Sequence, residues 1–205
     1  MTASQDSNRL RLIYELANAF ARRLDLDDLI PFALDRCRDI LAASGVSILL
    51  LDAEKHEFYF PYTAEGDAEA ARQLAAVRIP ADQGVAGAVL RSGQSEVIAD
   101  VRQDSRFYAA VDKKTGTITG SLLAAPLISG ETRLGVIEAV RRNTEVPFGR
   151  PEIALLELLA ASIAVALENA GGLRRSGNRR TDCGSKSARC DASSRATIAS
   201  LRSSR

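Results

Sequence analysis

The sequence has no tryptophan, one methionine, one histidine and three cysteines among its 205 residues. A catalytic triad would have to use the one histidine, His56, and no Gly-x-Ser-x-Gly elbow accompanies it. Cys183 and Cys190 lack the paired spacing of a zinc site, so we expect no metal. Cys37 lies among predicted helical residues, where a buried structural thiol is a simpler interpretation than a nucleophile. We therefore predict that the chain is not an enzyme.

The sequence also lacks a membrane-spanning run and a secretory leader. No stretch of about 18 uninterrupted apolar residues occurs. The start, "MTASQDSNRLRLIYELANAF", has neither the basic region nor the cleavage site of a signal peptide. Three cysteines do not make a disulfide framework. We expect a cytoplasmic location and no membrane partner.

Charge is distributed unevenly along the chain. The net charge of +1 includes nine Lys and Arg against two Asp in residues 171–205, which leaves 18 basic and 24 acidic residues, a net charge of −6, in residues 1–170. Phosphate contacts need clustered basic side chains, so the acidic part argues against nucleic acid as its partner.

Composition divides the chain into two regions. Residues 1–170 have the apolar content of one folded domain. Residues 171–205 are rich in Ser and Arg without a periodic apolar face, so we predict a disordered tail. The tail is either a native end or a truncated or out-of-frame end of a longer sensor protein.

The hydrophobic pattern predicts the order helix, helix, hairpin, helix, short strands and loops, hairpin, helix. Hairpins indicate an antiparallel sheet, so the predicted class is α+β. Pro61 cannot donate a ladder hydrogen bond, so we expect it at an edge or a bulge. Residues 101–120 form a long polar connection, and such loops in compact domains are more often functional than idle.

The first and last predicted helices carry apolar residues at the a/d spacing of a heptad. We expect a second copy of the chain to pack there as a four-helix dimer interface; alternatively, the two seams pack on each other within one chain. The predicted interface residues are Leu10, Ile13, Ala17, Phe20, Ile153, Leu156, Ala160, Ile163 and Leu167. The last helix is apolar on its other faces too, so it must be buried on more than one side.

Residues 79–140 carry a series of short motifs in a fixed order. Gly84 and Gly87 introduce a helix, a short strand ends at Asp100, and Asp104 begins an Asp-x-x-Phe motif. A Ser-x-x-x-x-Pro-Leu run and a Gly-Val-Ile run follow from Ser121 onward. In this order and spacing, the motifs resemble those of the GAF domain family.

The resemblance implies a six-stranded antiparallel sheet with terminal helices on one face and a loop-enclosed pocket on the other. Members of the family bind small molecules in that pocket. Here Phe107 is the candidate for stacking on a planar ligand, and Asp100, Asp104 and Ser121 are candidates for hydrogen bonds to it. Alternatively, Phe107 fills the core and the aspartates cap helices and turns.

Cyclic nucleotides are the ligand candidate that the resemblance supplies. The run "VRRNTEVPFGRPEIAL" resembles the signature of cyclic-nucleotide-binding members only in part. Phe148 matches, and Glu152 stands where that signature has Asp. Arg141 or Arg142 would form with Glu152 the ion pair of that signature. No cofactor is certain on these grounds.

Taken together, these features predict a non-enzymatic sensor module. It would bind a small ligand and transmit through a helical dimer interface to an effector outside this chain, such as a kinase, a cyclase or a transcription activator. The alternative is a dimerisation scaffold without a ligand. A remote alternative is the family's free methionine sulfoxide reductase branch, which uses cysteines on pocket loops, and residues 101–120 contain none.

Overall fold

The computed structural model describes residues 26–142, 146–150 and 152–170. The predicted first helix, with Leu10, Ile13, Ala17 and Phe20, lies outside the described residues, as does the predicted tail. The chain divides into two compact units, Met1–Ala166 and Leu167–Arg205. The sheet and the cavity discussed below belong to the first unit, and only residues 167–170 of the second are described.

The described residues alternate between helices and strands. The helices are α1 (Leu26–Leu41), α2 (Ala68–Ala75), α3 (Gly84–Ser92), α4 (Ala110–Thr115) and α5 (Glu152–Ala170). The strands are β1 (Gly45–Asp52), β2 (Glu57–Glu65), β3 (Arg78–Pro80), β4 (Glu96–Ile98), β5 (Thr119–Ser129) and β6 (Thr132–Arg142), and a short 3₁₀ helix spans Val101–Gln103.

The six strands form one sheet in the order β3-β2-β1-β6-β5-β4, and every neighbouring pair is antiparallel. This confirms the predicted α+β class and the six-stranded antiparallel sheet. The apolar strands β1 and β6 lie at its centre, because side chains there are covered on both faces. The β5–β6 hairpin turns at Gly130, whose φ of 58° suits glycine.

Pro61 lies at a bulge, as predicted. The pairing of β2 with β1 shifts between Ile48↔Tyr62 and Leu50↔Tyr59, so two residues of β2, one of them Pro61, stand opposite one residue of β1. The bulge removes the need for a ladder hydrogen bond from the proline. Strand β3 was not predicted, since three residues are too short to show an alternating pattern.

Two local predictions differ from the structure. The aromatic run of residues 56–63 predicts a strand that begins at His56, but His56 lies in the turn before β2 with a positive φ of 54°. The acidic residues at 25–28 predict a helix start that would place Pro31 close to the first turn, but Pro31 lies inside α1. It therefore removes one hydrogen bond from the helix interior.

Helices α1 and α5 cover one face of the sheet. The α1 residues Leu29, Ile30, Ala33, Leu34, Cys37 and Leu41 are buried, and α1 contacts β1 and β2. Leu29, Ile30 and Ala33 line a small void together with Leu159 and Ile163 of α5, so these two helices face each other. The opposite face of the sheet is left to α2, α3, α4 and the connections between them.

Among the described residues, α5 alone is long and apolar enough to cross a membrane by length and composition, with a mean hydropathy of 1.8. The core helix of a soluble protein has the same composition, and Leu155, Leu156, Leu159 and Ala160 of α5 are buried. The absence of a membrane partner therefore stays a prediction.

Candidate ligand-binding site

A cavity of about 80 Å³ lies on the face of the sheet opposite α1 and α5. Strands β1, β5 and β6 form its floor, and the start of α3, residues 107–108 and α4 form its roof. Its apolar walls include Leu49, Phe60, Ile79, Phe107, Leu122 and Val140. The predicted pocket on this face is therefore present as a small, mostly apolar cavity.

Glycines shape the α3 side of the roof. Gly84 begins α3 with a φ of 74°, which a residue with a side chain adopts only at a cost. A Cβ atom on Gly87 would lie 2.8 Å from the Ala81 carbonyl oxygen, so glycine lets the helix approach this loop closely. Gly93 ends α3 in the left-handed conformation. The glycine pair of the sequence motif thus positions the helix over the cavity.

Asp112 fastens α4 to the start of β5. Its carboxylate accepts hydrogen bonds from the backbone N–H of Thr119 at 2.7 Å and from the Thr119 hydroxyl at 2.8 Å. The Thr117 hydroxyl donates to the same carboxylate at 3.3 Å. None of the α4 residues is buried. These polar contacts therefore hold the roof in place where apolar packing is thin.

An ion pair closes one end of the cavity. Arg142 of β6 donates to the Glu65 carboxylate at 2.5 Å. Gly45 makes room for this carboxylate, because a Cβ there would lie 2.2 Å from Glu65 Oε1. Burial raises the pKa of Glu65, and the Arg142 charge opposes that shift. The Nε atom of Arg142 is buried and has no hydrogen-bond partner among the described residues.

Glu138 is the most unusual group of the cavity. It lies on the central strand β6, directly opposite Ser47 of β1 and Ala124 of β5. Within the described part of the chain, no group donates a hydrogen bond to its carboxylate, and no cation pairs with it. Burial alone raises its pKa to about 7. What remains accessible of its side chain faces the cavity, since Glu138 is one of the lining residues.

Of the four predicted ligand-binding residues, the structure brings only Phe107 to this cavity. Asp100 caps the 3₁₀ helix through the backbone N–H of Arg102 and pairs with the Arg102 guanidinium at 2.8 Å. That cation holds the pKa of Asp100 well below its usual range. Asp100 lines a separate surface groove with Ile118 and Pro147.

Asp104 stabilises the connection between β4 and α4. It pairs with Arg106 at 2.7 Å, which lowers the pKa of Asp104 and raises that of Arg106. Arg106 also pairs with Glu96 of β4 at 2.6 Å. Both aspartates therefore act as caps and turn formers, the alternative that the sequence left open.

Ser121 faces away from the cavity. It is buried, and its hydroxyl accepts a hydrogen bond at 2.8 Å from the backbone N–H of Phe148. It thereby fixes the segment before α5 to β5. A contact between Ser121 and a ligand in the cavity would require it to point to the other face of the sheet.

The ion pair predicted from the partial nucleotide signature is present between Arg141 and Glu152, at 3.2 Å. The Arg141 guanidinium also lies 4.1 Å from the centre of the Phe148 ring. Arg142 forms its ion pair with Glu65 instead. Arg141, Phe148 and Glu152 therefore join β6 to α5 on the face of the sheet away from the cavity, and they are not among its lining residues.

Cys37 is fully buried in α1, and burial raises the pKa of its thiol to about 12. It lies on the helix that covers the far face of the sheet, so it does not approach the cavity. The predicted burial of this thiol is confirmed. Among the described residues, no group of His, Cys, Asp and Glu could hold a metal ion.

The a/d residues predicted for the dimer interface on α5 are mostly buried within the chain. Leu156, Ala160 and Ile163 are buried, and Ile153 is half-buried. The outward side of α5 instead carries a second apolar stripe. Its members, spaced by four, three and four residues, are Ala154, Leu158, Ala161 and Val165, and all are exposed.

Glu138 gave only a weak sequence signal. It stands alone in the apolar run "LGVIEAV" of a strand that the pattern places in the sheet. A single acidic residue in a central strand, covered on both faces, must have a partner or a ligand, or be protonated. Its place in an apolar strand therefore marks Glu138 more clearly than the loop motif marks Asp100 and Asp104.

Comparison with known proteins gives one family and a consistent fold. The model of the GAF domain family matches residues 23–168. A curated relative, probable 3',5'-cyclic phosphodiesterase pde-5 of Caenorhabditis elegans, is 27% identical over 153 residues, which cover 72% of this chain. The chain spans only 21% of the length of that relative.

Two solved structures share the fold. The GAF domain of an Acinetobacter phosphoenolpyruvate-protein phosphotransferase has a TM-score of 0.68 and 17% identity, over 85% of this chain and 99% of that one. The free methionine-R-sulfoxide reductase of Neisseria meningitidis, solved with its substrate, has a TM-score of 0.63 and 19% identity, and the match covers 78% of this chain and 87% of that one.

Proposed function

The chain belongs to the GAF domain family, and from that premise we propose that it is the sensory module of a longer signalling protein and binds a small ligand in its cavity. The observation that supports this is the carboxylate of Glu138, which faces the cavity and has no partner in residues 26–142, 146–150 and 152–170. A sheet that needed no ligand here would place an apolar residue at this half-buried position, because a carboxylate that has lost water without gaining a partner destabilises the fold when it is ionised.

Ligand binding would act by shifting the populations of two arrangements of the roof. The roof helix α4 has no buried residue and is held by the contacts of Asp112. A ligand that contacts both floor and roof favours the closed arrangement and disfavours open ones. The sheet floor also carries α1 and α5 on its far face, so the signal has a direct route to the helices.

A cyclic nucleotide is one candidate ligand, supported by the phosphodiesterase relative. Pockets that hold molecules of that size typically measure about 300–1,000 Å³, and this cavity measures about 80 Å³. A nucleotide therefore requires α4 to move outward. The effector partner and a cytoplasmic location belong to this proposal too, the effector being a kinase, a cyclase, a phosphodiesterase or a transcription activator outside this chain.

Thermal denaturation of the full chain tests the proposal, because a ligand that binds only the folded state raises its stability. We would screen cyclic AMP, cyclic GMP, amino acids and small amines. A compound that binds in the cavity should raise the midpoint of the wild type but not of Val111→Trp, in which a bulky side chain of α4 fills the cavity. Lys113→Trp, an exposed change on the same helix, should keep the response.

The outcome that contradicts the sensor proposal is a screen in which no compound shifts the wild type. The same holds if every shift survives Val111→Trp, since binding would then lie elsewhere. Catalysis by a cysteine has no support among the described residues, where Cys37 is buried away from the cavity. We therefore propose a non-enzymatic role.

Dimerisation is the second candidate function. The exposed apolar stripe of α5, Ala154, Leu158, Ala161 and Val165, has the spacing of a helix–helix seam. A second copy of the chain offers the matching surface by symmetry. In this variant of the proposal, the module is a scaffold whose output is the geometry of the dimer.

A further inference from the structure

The charges that line the cavity leave one carboxylate without a counterion. Glu65 has Arg142 at 2.5 Å, and Asp112 accepts three hydrogen bonds from Thr117 and Thr119. Glu138 has no such partner among the residues that the structure describes. The lining thus contains three carboxylates against one guanidinium, and the excess negative charge lies at Glu138.

The neighbours of Glu138 leave space beside its carboxylate. Across the sheet it faces Ser47 on one side and Ala124 on the other, two of the smallest side chains. Farther out, the walls are apolar, with Phe60, Phe107 and Leu122. A group placed there meets a negative charge at the floor and apolar surface elsewhere.

Resting on the sensor function proposed above, we propose that the cavity selects a small protonated amine, whose ammonium group pairs with Glu138 and whose apolar body packs between Phe60, Phe107 and Leu122. An ammonium carries both the positive charge and the hydrogen-bond donors that this carboxylate lacks. An anionic ligand would add a fourth negative charge to the lining. The size of the cavity, about 80 Å³, restricts the amine to a few heavy atoms unless the roof opens.

The proposal requires the positive charge of the ligand as well as its shape, so it can be tested with pairs of compounds that have the same shape and differ in charge. The probes are ethylamine, isobutylamine and benzylamine, each compared with the alcohol of the same carbon skeleton. Titration calorimetry and thermal denaturation of the full chain are done at about pH 8, where the amines are protonated and Glu138, with a pKa of about 7, is mostly ionised. At least one amine should bind and raise the unfolding midpoint, and its alcohol should bind at least ten-fold more weakly.

Two variants locate the effect. Glu138→Gln keeps the shape of the side chain and removes the charge, so it should weaken amine binding at least ten-fold while leaving the circular dichroism spectrum of the fold unchanged. Glu131→Gln, an exposed change in the β5–β6 turn, is the matched control and should bind as the wild type does. If Glu138→Gln does not fold, the comparison of amine with alcohol on the wild type decides alone.

The results distinguish this inference from the sensor function on which it rests. If a nucleotide or another compound stabilises the wild type through the cavity and no amine does, the sensor function stands and the amine selectivity is wrong. An amine that binds Glu138→Gln as tightly as the wild type, or an alcohol that binds as tightly as its amine, also overturns it. If nothing binds in the cavity, both proposals fail together.

Discussion

Arg141 and Glu152 form an ion pair that joins the end of β6 to the start of α5, with nitrogen and oxygen 3.2 Å apart. The guanidinium of Arg141 also donates to the carbonyl oxygen of Leu41 at 2.6 Å and to those of Val146 and Pro147 at 3.2 Å. The buried guanidinium of Arg141 therefore donates hydrogen bonds to acceptors at the end of α1, in the segment after β6 and at the beginning of α5.

Arg141→Lys should destabilise the fold by about 2–3 kcal/mol, because a lysine ammonium cannot reach these acceptors in the planar arrangement of a guanidinium. Urea denaturation measures the loss. Arg102→Lys is the control. Arg102 is 81% exposed and pairs only at the surface, so its change should leave the urea midpoint almost unchanged. Equal effects of the two changes would contradict a structural role for Arg141.

Glu138 should make the stability of the fold decrease as the pH rises. Its folded-state pKa of about 7 lies above its ordinary value of 4.5, so the folded state binds more protons than the unfolded state between these values. The contribution of Glu138 to the free energy of unfolding is therefore fully present below about pH 4.5 and is lost as the pH rises through about 7. The shift corresponds to a loss of about 3 kcal/mol.

Glu138→Gln should remove this part of the pH dependence. At pH 5 the variant should be about as stable as the wild type, whose Glu138 is then protonated, and at pH 8 it should be the more stable protein. The other charged or titratable groups around the cavity, Glu65, Tyr108, Asp112 and Arg142, are unchanged by the substitution. Urea denaturation at both pH values measures the difference. Identical pH profiles would show that Glu138 has a partner in solution.

The fold could be predicted from the sequence because its signals are local and repeated. The run "GVSILLLD" of β-branched and leucine residues is typical of a central strand, and β1 has the same bounds, Gly45–Asp52. Gly93 marked the end of α3, and Pro61 marked the bulge of β2. Glycine adopts the left-handed conformation of a helix end without strain, and proline cannot donate a ladder hydrogen bond, so each of these two residues marks a particular backbone geometry.

The candidate site was less predictable because it depends on which side chains meet across the sheet. Asp100 and Asp104 carry the polar groups of a motif, yet their oxygens are occupied by Arg102 and Arg106, only two residues further along. Glu138 carries no motif, and its environment is set by Ser47 and Ala124 on distant strands. The neighbours of Glu138 depend on the register of three strands that are far apart in sequence, so they cannot be read from the residues around Glu138 itself.

Cys37 should be inert toward thiol reagents in the folded protein. With a pKa of about 12, roughly one thiol in ten thousand is ionised at pH 8, and the thiolate is the reactive form. We would measure labelling by a maleimide in the double variant Cys183→Ser/Cys190→Ser, which leaves Cys37 as the one cysteine. Labelling should appear only when urea unfolds the chain. Rapid labelling of the folded protein would reopen the possibility of a cysteine enzyme.

The outward stripe of α5 should control self-association. Leu158 and Val165 are 37% and 52% exposed, and two large apolar side chains on the exposed side of one helix favour contact with a second helix. Leu158→Glu/Val165→Glu should convert a dimer to a monomer in sedimentation equilibrium while leaving the circular dichroism spectrum of the fold unchanged, because neither side chain is in the core. Glu157→Lys, on the same helix outside the stripe, should remain dimeric. A wild-type chain that sediments as a monomer contradicts the dimer, and a double variant that stays dimeric places the interface on another surface.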